Sequence, residues 1–192
     1  MLSTLGMMES AEATEKLTAV LNGYKLSAED AAGVVDKLVG VDLIAATSAE
    51  ELATAMQYVS SQAANAGISF DKLIGLITVG SETTRLSAET IGNTWKSILA
   101  RMEQVKAGVD IDDEGESLNN VEKVLNKFDI KLRDSMHEFR NMEDVIDEVG
   151  QKWKNFNSVQ QQQIATAIAG ETAPEHIEIY GWFYTISFVL YR

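Results

Sequence analysis

The stretch Thr47–Ile77, TSAEELATAMQYVSSQAANAGISFDKLIGLI, carries two complete helix signals in succession. Ser48 stands at an N-cap position, where its side-chain oxygen accepts from an orphan N–H of the first turn. Glu51, three residues on, supplies the reciprocal half of a capping box. Leu52, Met56, Val59 and Ala63 then fall on one face of a 3.6-residue period. Gly67 sits where that helix should stop, the place of a C-terminal glycine cap. Ser69 opens the next helix, with Ile68 before it able to pack on Leu73 as a hydrophobic staple. Phe70, Leu73, Ile74 and Ile77 make the second apolar face.

The same grammar repeats on both sides. Ser27, Ser48, Ser69 and Ser87 are spaced by 21, 21 and 18 residues. Ser27 has Asp30 in the box position, and Leu86 before Ser87 can pack on Ile91. Ala31, Val34, Val35 and Leu38 form one stripe. Ile91, Trp95, Ile98, Met102 and Val105 form the strongest, stepping by 4, 3, 4 and 3. Gly80, like Gly67, reads as a helix stop. Upstream, Leu2–Tyr24 reads as a helix with Leu5, Met8, Leu17, Val20 and Leu21 for burial, and its abrupt start fits either a chain cut from a larger protein or a short natural leader.

After Lys106 the character changes. Gly108–Glu116 reads as an acidic loop and a sub-boundary. A helix follows over Ser117–Phe128, with Leu118, Val121, Leu125 and Phe128 on its stripe. Asp129–Arg140, DIKLRDSMHEFR, alternates apolar and polar residues around Asp134-Ser135, the pattern of a small hairpin. Met142, Val145, Ile146, Val149, Trp153 and Phe156 mark another amphipathic helix. Ser158 with Gln161 reads as a further capping box before Ile164 and Ile168. The expectation is an all-α fold: a compact domain of seven or eight short helices over residues 1–170, with one hairpin near 129–140. Residues 171–192 differ in style, since Pro174 is the only proline and Ile177–Tyr191 is rich in aromatic and β-branched residues.

Composition narrows the function classes. A net charge of −13 argues against nucleic acid, whose binding needs Lys and Arg to displace counterions, and disfavours an anionic membrane surface. With no cysteine there is neither a disulfide framework nor a thiolate metal site. The N-terminus lacks the basic-then-apolar pattern of a secretory signal. Ile177–Tyr191 falls short of the roughly eighteen apolar residues of a membrane span, so membrane contact is expected only through that tail. The apolar set is carried by Ala, Leu, Val, Ile and seven Met, with 7% aromatic residues, which suits close and adaptable helix packing.

Candidate chemistry is thin. In Asp110–Glu116, DIDDEGE, the residues Asp110, Asp112, Glu114 and Gly115 match positions one, three, five and six of a calcium loop. Leu118 and Val121 then occupy positions nine and twelve, where the closing bidentate Glu is missing, and Glu122 is one residue late. A solvated acidic loop feeding a helix N-terminus is the better reading. His137 falls in the hairpin turn and His176 past Pro174, without partners at ligand spacing. Trp95 and Trp153 lie on apolar stripes and read as core. Gln160–Gln163 reads as a polar first turn. No catalytic, cofactor-binding or metal residue is expected, and no enzyme.

Five segments in order resemble the core region of phage tail tape measure proteins. They are YKLSAEDAAGVVDKL (Tyr24–Leu38), the opening stretch Thr47–Ile77, SAETIGNTWKSILARM (Ser87–Met102), FDIKLRDSMHEFRNMEDVIDEVGQKW (Phe128–Trp153) and QQQQIATAIAG (Gln160–Gly170). The similarity runs over most of Met1–Gly170; no single segment is diagnostic, but the order of all five with these spacings is quite specific. After AIAG the family continues with a Thr-Arg-Gln helix, whereas this chain has Glu171-Thr172-Ala173-Pro174 and the aromatic tail. The resemblance implies a prophage or phage structural protein, present as a fragment or truncated product. It implies a place in the tail lumen of the virion, or in the host cytoplasm during assembly, and a part in setting tail length. Implied partners are tail-tube subunits, tail assembly chaperones and baseplate proteins. The alternative is a non-enzymatic helical interaction or regulatory module derived from a prophage.

Overall fold

Ser48 Oγ accepts from the Glu51 N–H at 3.1 Å, and the Glu51 carboxylate accepts from the Ser48 N–H at 2.8 Å, so the capping box forms as the sequence predicts. In the computed structural model, which describes residues 10–104, 120–135 and 137–170, this box starts one of eight α-helices. These are α1 (Ser10–Gly23), α2 (Ala31–Asp42), α3 (Ala49–Asn65), α4 (Phe70–Thr84), α5 (Ala88–Met102), α6 (Asn120–Asn126), α7 (Met142–Lys152) and α8 (Ser158–Ala169). Strands β1 (Arg133–Ser135) and β2 (Glu138–Phe139) pair antiparallel, with Arg133 opposite Phe139 and Ser135 opposite Glu138. The fold is all-α with one small hairpin, as expected.

The chain divides into two compact units, Met1–Lys96 and Ser97–Arg192. The expected sub-boundary at 108–116 lies outside the described residues. In the first unit α1 packs along α3, and α3 also meets α2 and α4. Small residues let the helices approach. A Cβ added at Gly23 of α1 would come within 2.6 Å of Ser60 Cβ on α3, and one at Gly92 of α5 within 2.3 Å of the Ala55 carbonyl oxygen. Leu52, Met56, Val59 and Ala63 of α3 and Leu73, Ile74 and Ile77 of α4 are all buried, as their spacing predicts.

In the second unit α6 packs on α8, Val145, Ile146 and Val149 bury the inner face of α7, and Trp153 is buried in the turn that follows it. The Phe128 and Phe156 rings meet at 5.3 Å beside it. The α5 helix runs through the point of division. Ile91 and Trp95 fall in the first unit and Ile98, Leu99 and Met102 in the second, all buried.

Helix ends show where local sequence was read wrongly. Gly67 does terminate α3: at φ 79° it donates to Ala64 O, and Ile68 donates to Ala63 O, the paired bonds of a Schellman ending. Lys25 (φ 54°) after α1 and Asp129 (φ 57°) after α6 make the same two bonds without glycine. Gly80 is no stop. It lies buried inside α4, which continues to Thr84 while Thr83 and Thr84 hydroxyls donate back to the Val79 and Gly80 carbonyls. Arg85 takes the left-handed turn instead. Glycine permits a stop without compelling one, and here the packed face carries the helix on.

Other boundaries also shift. The α8 cap is Asn157 with Gln160, not Ser158 with Gln161; Gln161 instead donates to Trp153 O at 3.0 Å. Both frames fit the string NSVQQQ, and the single 3-10 turn Trp153–Asn155 before it selects the earlier one. The helix expected through Phe128 ends at Asn126, and its expected first residues lie outside the described ones. Asp134-Ser135, expected at the hairpin's turn, belong to β1 instead. The N-terminal helix is described from Ser10, so Leu5 and Met8 lie outside, as does Val105. Within α1 the buried residues are Ala13, Lys16 and Val20.

Candidate functional site

Three surface features stand out from the helix packing, two in the first unit and one in the second. In the first unit, Leu26, Asp30, Gly33, Val34, Lys37 and Phe70 line an open, largely apolar groove of about 230 Å³. Gly33 and Val34 lie four and three residues before Lys37, about one turn of the helix, so both share its side of α2. The Phe70 ring is held from behind by Tyr24, edge-on at 5.4 Å, and Lys37 Nζ lies 5.5 Å above its centroid. Lys37 also pairs with Asp71 at the rim. Nothing comes within 4 Å of a Cβ built at Gly33, so the groove floor is open there.

At the other end of α2 the chain presents Leu43 and Ile44, 80% and 86% exposed. They are not on a loose loop. Leu43 N–H donates to Val39 O, and Ile44 and Ala45 N–H both donate to Val41 O. The Glu82 carboxylate then accepts from the Ala46 N–H at 3.2 Å, and Thr47 is buried. Two large apolar side chains are therefore held in water by an ordered turn. Monomer surfaces carry single apolar residues routinely, but an ordered adjacent pair is a candidate contact.

The second unit carries a charged clamp. Glu148 on α7 accepts from Arg140 Nη1 at 2.7 Å and from Lys152 Nζ at 2.8 Å. Each cation reaches further: Arg140 to the Lys131 carbonyl at 2.8 Å, Lys152 to the Asp129 carbonyl at 2.6 Å. One carboxylate thereby ties α7 to the strand approach on both sides. Burial works to raise the Glu148 carboxyl, yet the hydrogen bonds and charges of Lys152 and Arg140 outweigh it and hold the group below its ordinary value. Deeper in, Arg133 Nε donates to Glu122 at 2.8 Å, with both side chains at least nine-tenths buried, and the Arg133 guanidinium lies 4.8 Å from the Phe139 ring centroid.

The residues weighed from sequence fall as follows. Trp95 and Trp153 are core, each 1% exposed. Gln160, Gln161 and Gln162 make capping and first-turn bonds in α8. His137 is exposed in the hairpin turn, while Asp110–Glu116, Leu118 and His176 lie outside the described residues. Val121 is buried and Glu122 is committed to Arg133, so neither faces a loop ligand. Among the described residues no three His, Asp or Glu form a metal-holding group. Likewise, no described helix is long and apolar enough to cross a membrane.

Sequence reasoning missed the Glu148 clamp, the Glu122–Arg133 pair and the exposed Leu43-Ile44. The spacing of Glu148 and Lys152 by four was a usable signal. So was the position of Leu43 and Ile44 off the Val34-Val35-Leu38 stripe. The Glu122–Arg133 pair, eleven residues apart across a turn, left none.

What these features offer is helix faces, an apolar groove and knob, and fixed charge. No solved structure matches the chain. The family model described as phage-related minor tail protein matches residues 1–170, from the first residue to the glycine that closes α8. That span covers the first unit and every described residue of the second, and the chain belongs to the phage-related minor tail protein family.

Proposed function

We propose that this chain is part of a tape measure protein and acts in tail assembly by presenting its helix faces to other tail components. Family membership over residues 1–170 carries the reading, and the five ordered segments that resemble tape measure cores support the finer assignment. In this reading residues 1–170 are the working part and 171–192 a divergent appendage. The partners are tail-tube subunits, tail assembly chaperones and baseplate proteins, reached in the host cytoplasm during assembly and in the tail lumen afterwards. Recognition is by shape and apolar contact, so no nucleic acid, cofactor or reacting group is needed.

Length measurement by such a protein is geometric, because an extended helix advances about 1.5 Å per residue. The test is a deletion of residues 120–170 in the phage gene carrying this sequence, with tails measured by electron microscopy. If the segment belongs to the ruler, tails shorten by about 77 Å, the helical rise of the 51 residues removed. Tails of unchanged length refute measurement by this segment. Absence of the undeleted product from particles and tail intermediates refutes the structural role itself.

A further inference from the structure

Asn22-Gly23 is the one Asn-Gly step in the chain, and it lies where the end of α1 meets α3. At any Asn the backbone nitrogen of the next residue can attack the side-chain amide carbon, and a Cβ on that next residue crowds the approach. Glycine has no Cβ. Asn141 and Asn157, by contrast, hold their side-chain oxygens on the N–H groups of Glu143 and Gln160, and each precedes a residue with a side chain. Asn22 is exposed, so water reaches its amide.

The fold opposes the attack. Ring closure requires the Asn22–Gly23 peptide plane to rotate out of its helical setting. That plane is pinned: the Asn22 carbonyl accepts from the Lys25 N–H at 3.2 Å, and the Leu26 N–H closes the same turn on Leu21 O at 2.9 Å. Gly23 also lies so close to α3 that an added Cβ would sit 2.6 Å from Ser60 Cβ and 2.9 Å from the Ser61 nitrogen. We infer that Asn22 is a deamidation site gated by the docking of α1 on α3, and that the product keeps α1 from docking again.

The step balances with water alone. The Gly23 nitrogen loses its proton to solvent and bonds to Asn22 Cγ; the Cγ–Nδ2 bond breaks, and the leaving nitrogen takes a proton from water and departs as ammonia. Water then opens the cyclic imide at either carbonyl. Opening at Cγ gives aspartate. Opening at the backbone carbonyl gives isoaspartate, whose main chain runs through Cβ and Cγ and is longer by one carbon–carbon bond, about 1.5 Å. Both products put a carboxylate in the last turn of α1, at the negative end of the helix dipole, where no basic residue stands. The longer main chain has no room either, because the Ser61 nitrogen is backbone and cannot rotate away.

The test follows isoaspartate at position 22 by peptide mapping of the full-length chain, incubated at mildly alkaline pH with and without denaturing urea. Conversion is expected to be slower in the folded chain by about tenfold or more, the factor set by opening of the α1 end. Val20→Ala trims a fully buried contact of α1 and should speed conversion in the folded chain while leaving the rate in urea unchanged. Chain converted in urea and then refolded should lose amide protection across α1 and keep it across α4, whereas unconverted chain taken through the same cycle keeps both. Equal rates with and without urea overturn the gating, as does a Val20→Ala rate no faster than wild type. No isoaspartate at position 22 in urea removes the site. Converted chain that keeps α1 protected, or that loses α4 as well, overturns the block on redocking.

Discussion

The two units are held together by different physics. In the first, helices approach until backbone nearly touches side chain, at Gly23 against Ser60 and Gly92 against Ala55. In the second, the hairpin and its neighbours are fixed by charge, through Glu122–Arg133 inside and the Glu148 clamp outside. Steric closeness is indifferent to pH and salt. Charged hydrogen bonds are not, and a buried pair turns harmful when one partner is lost. The contrast says the first unit should respond to volume and the second to protonation.

The largest effect is expected at the buried pair. Glu122→Leu removes the buried carboxylate that accepts from Arg133 Nε and should destabilise the second unit by about 3–5 kcal/mol. Adding Arg133→Leu should recover most of it, because a well-packed apolar pair often matches a buried ion pair. Urea titration followed by region-resolved amide exchange over residues 120–170 reads this. A double variant no better than the single would show that the hairpin depends on charge, not on packing.

Next comes Gly92→Ala. The new methyl meets a carbonyl oxygen of α3, which is backbone and cannot rotate away, so the helices must part. A loss of about 2 kcal/mol is expected after the gain in helix propensity is counted. The loss should be the same at neutral and mildly acidic pH. A change confined to the second unit would break the comparison.

Glu148→Gln should cost the second unit about 1 kcal/mol at neutral pH, the partly exposed clamp being screened by water. The sign of its pH dependence follows from the lowered carboxyl. Its contribution is complete above the ordinary value of about 4.5 and is lost as pH falls through the lower folded-state value. Wild type and Glu148→Gln should therefore differ at about pH 7 and converge as the pH falls below the ordinary carboxyl value in urea titrations. A difference that persists at low pH would remove charge from the explanation.

The smallest effect tests whether acid touches the first unit at all. Asp30 accepts from the Ser27 hydroxyl and the Ser27 N–H, both at 2.8 Å, and these bonds hold its carboxyl below the ordinary value. It is fully exposed, so only local fraying is expected: Asp30→Asn should speed exchange of the Ser27 amide while the α3 and α4 amides keep their protection. Loss of protection in α3 would mean the first unit shares the acid sensitivity of the second.

Much of this was legible from residue order. Ser48 with Glu51, the stripe Leu52-Met56-Val59-Ala63 and the Gly67 ending are local, so a single helix and its cap state them completely. Trp95 and Trp153 fell to the core for the same reason. The failures have a shared cause too. Gly80 could have ended a helix and Ser158 could have begun one; each local pattern was satisfied, and neighbours packed against the chain chose otherwise. The Arg140 and Lys152 bonds to the carbonyls of Lys131 and Asp129 join residues 9 and 23 apart.

Sequence alone therefore determined an all-helical chain with one hairpin, its apolar faces and most of its caps, because hydrogen bonding and side-chain periodicity within a helix act over four residues. It also carried the family. Only the tertiary structure decided where backbones nearly touch, which carboxylate gathers which cations, and that Leu43 and Ile44 stay in water. Those depend on distances between segments far apart in the chain, which no local pattern encodes.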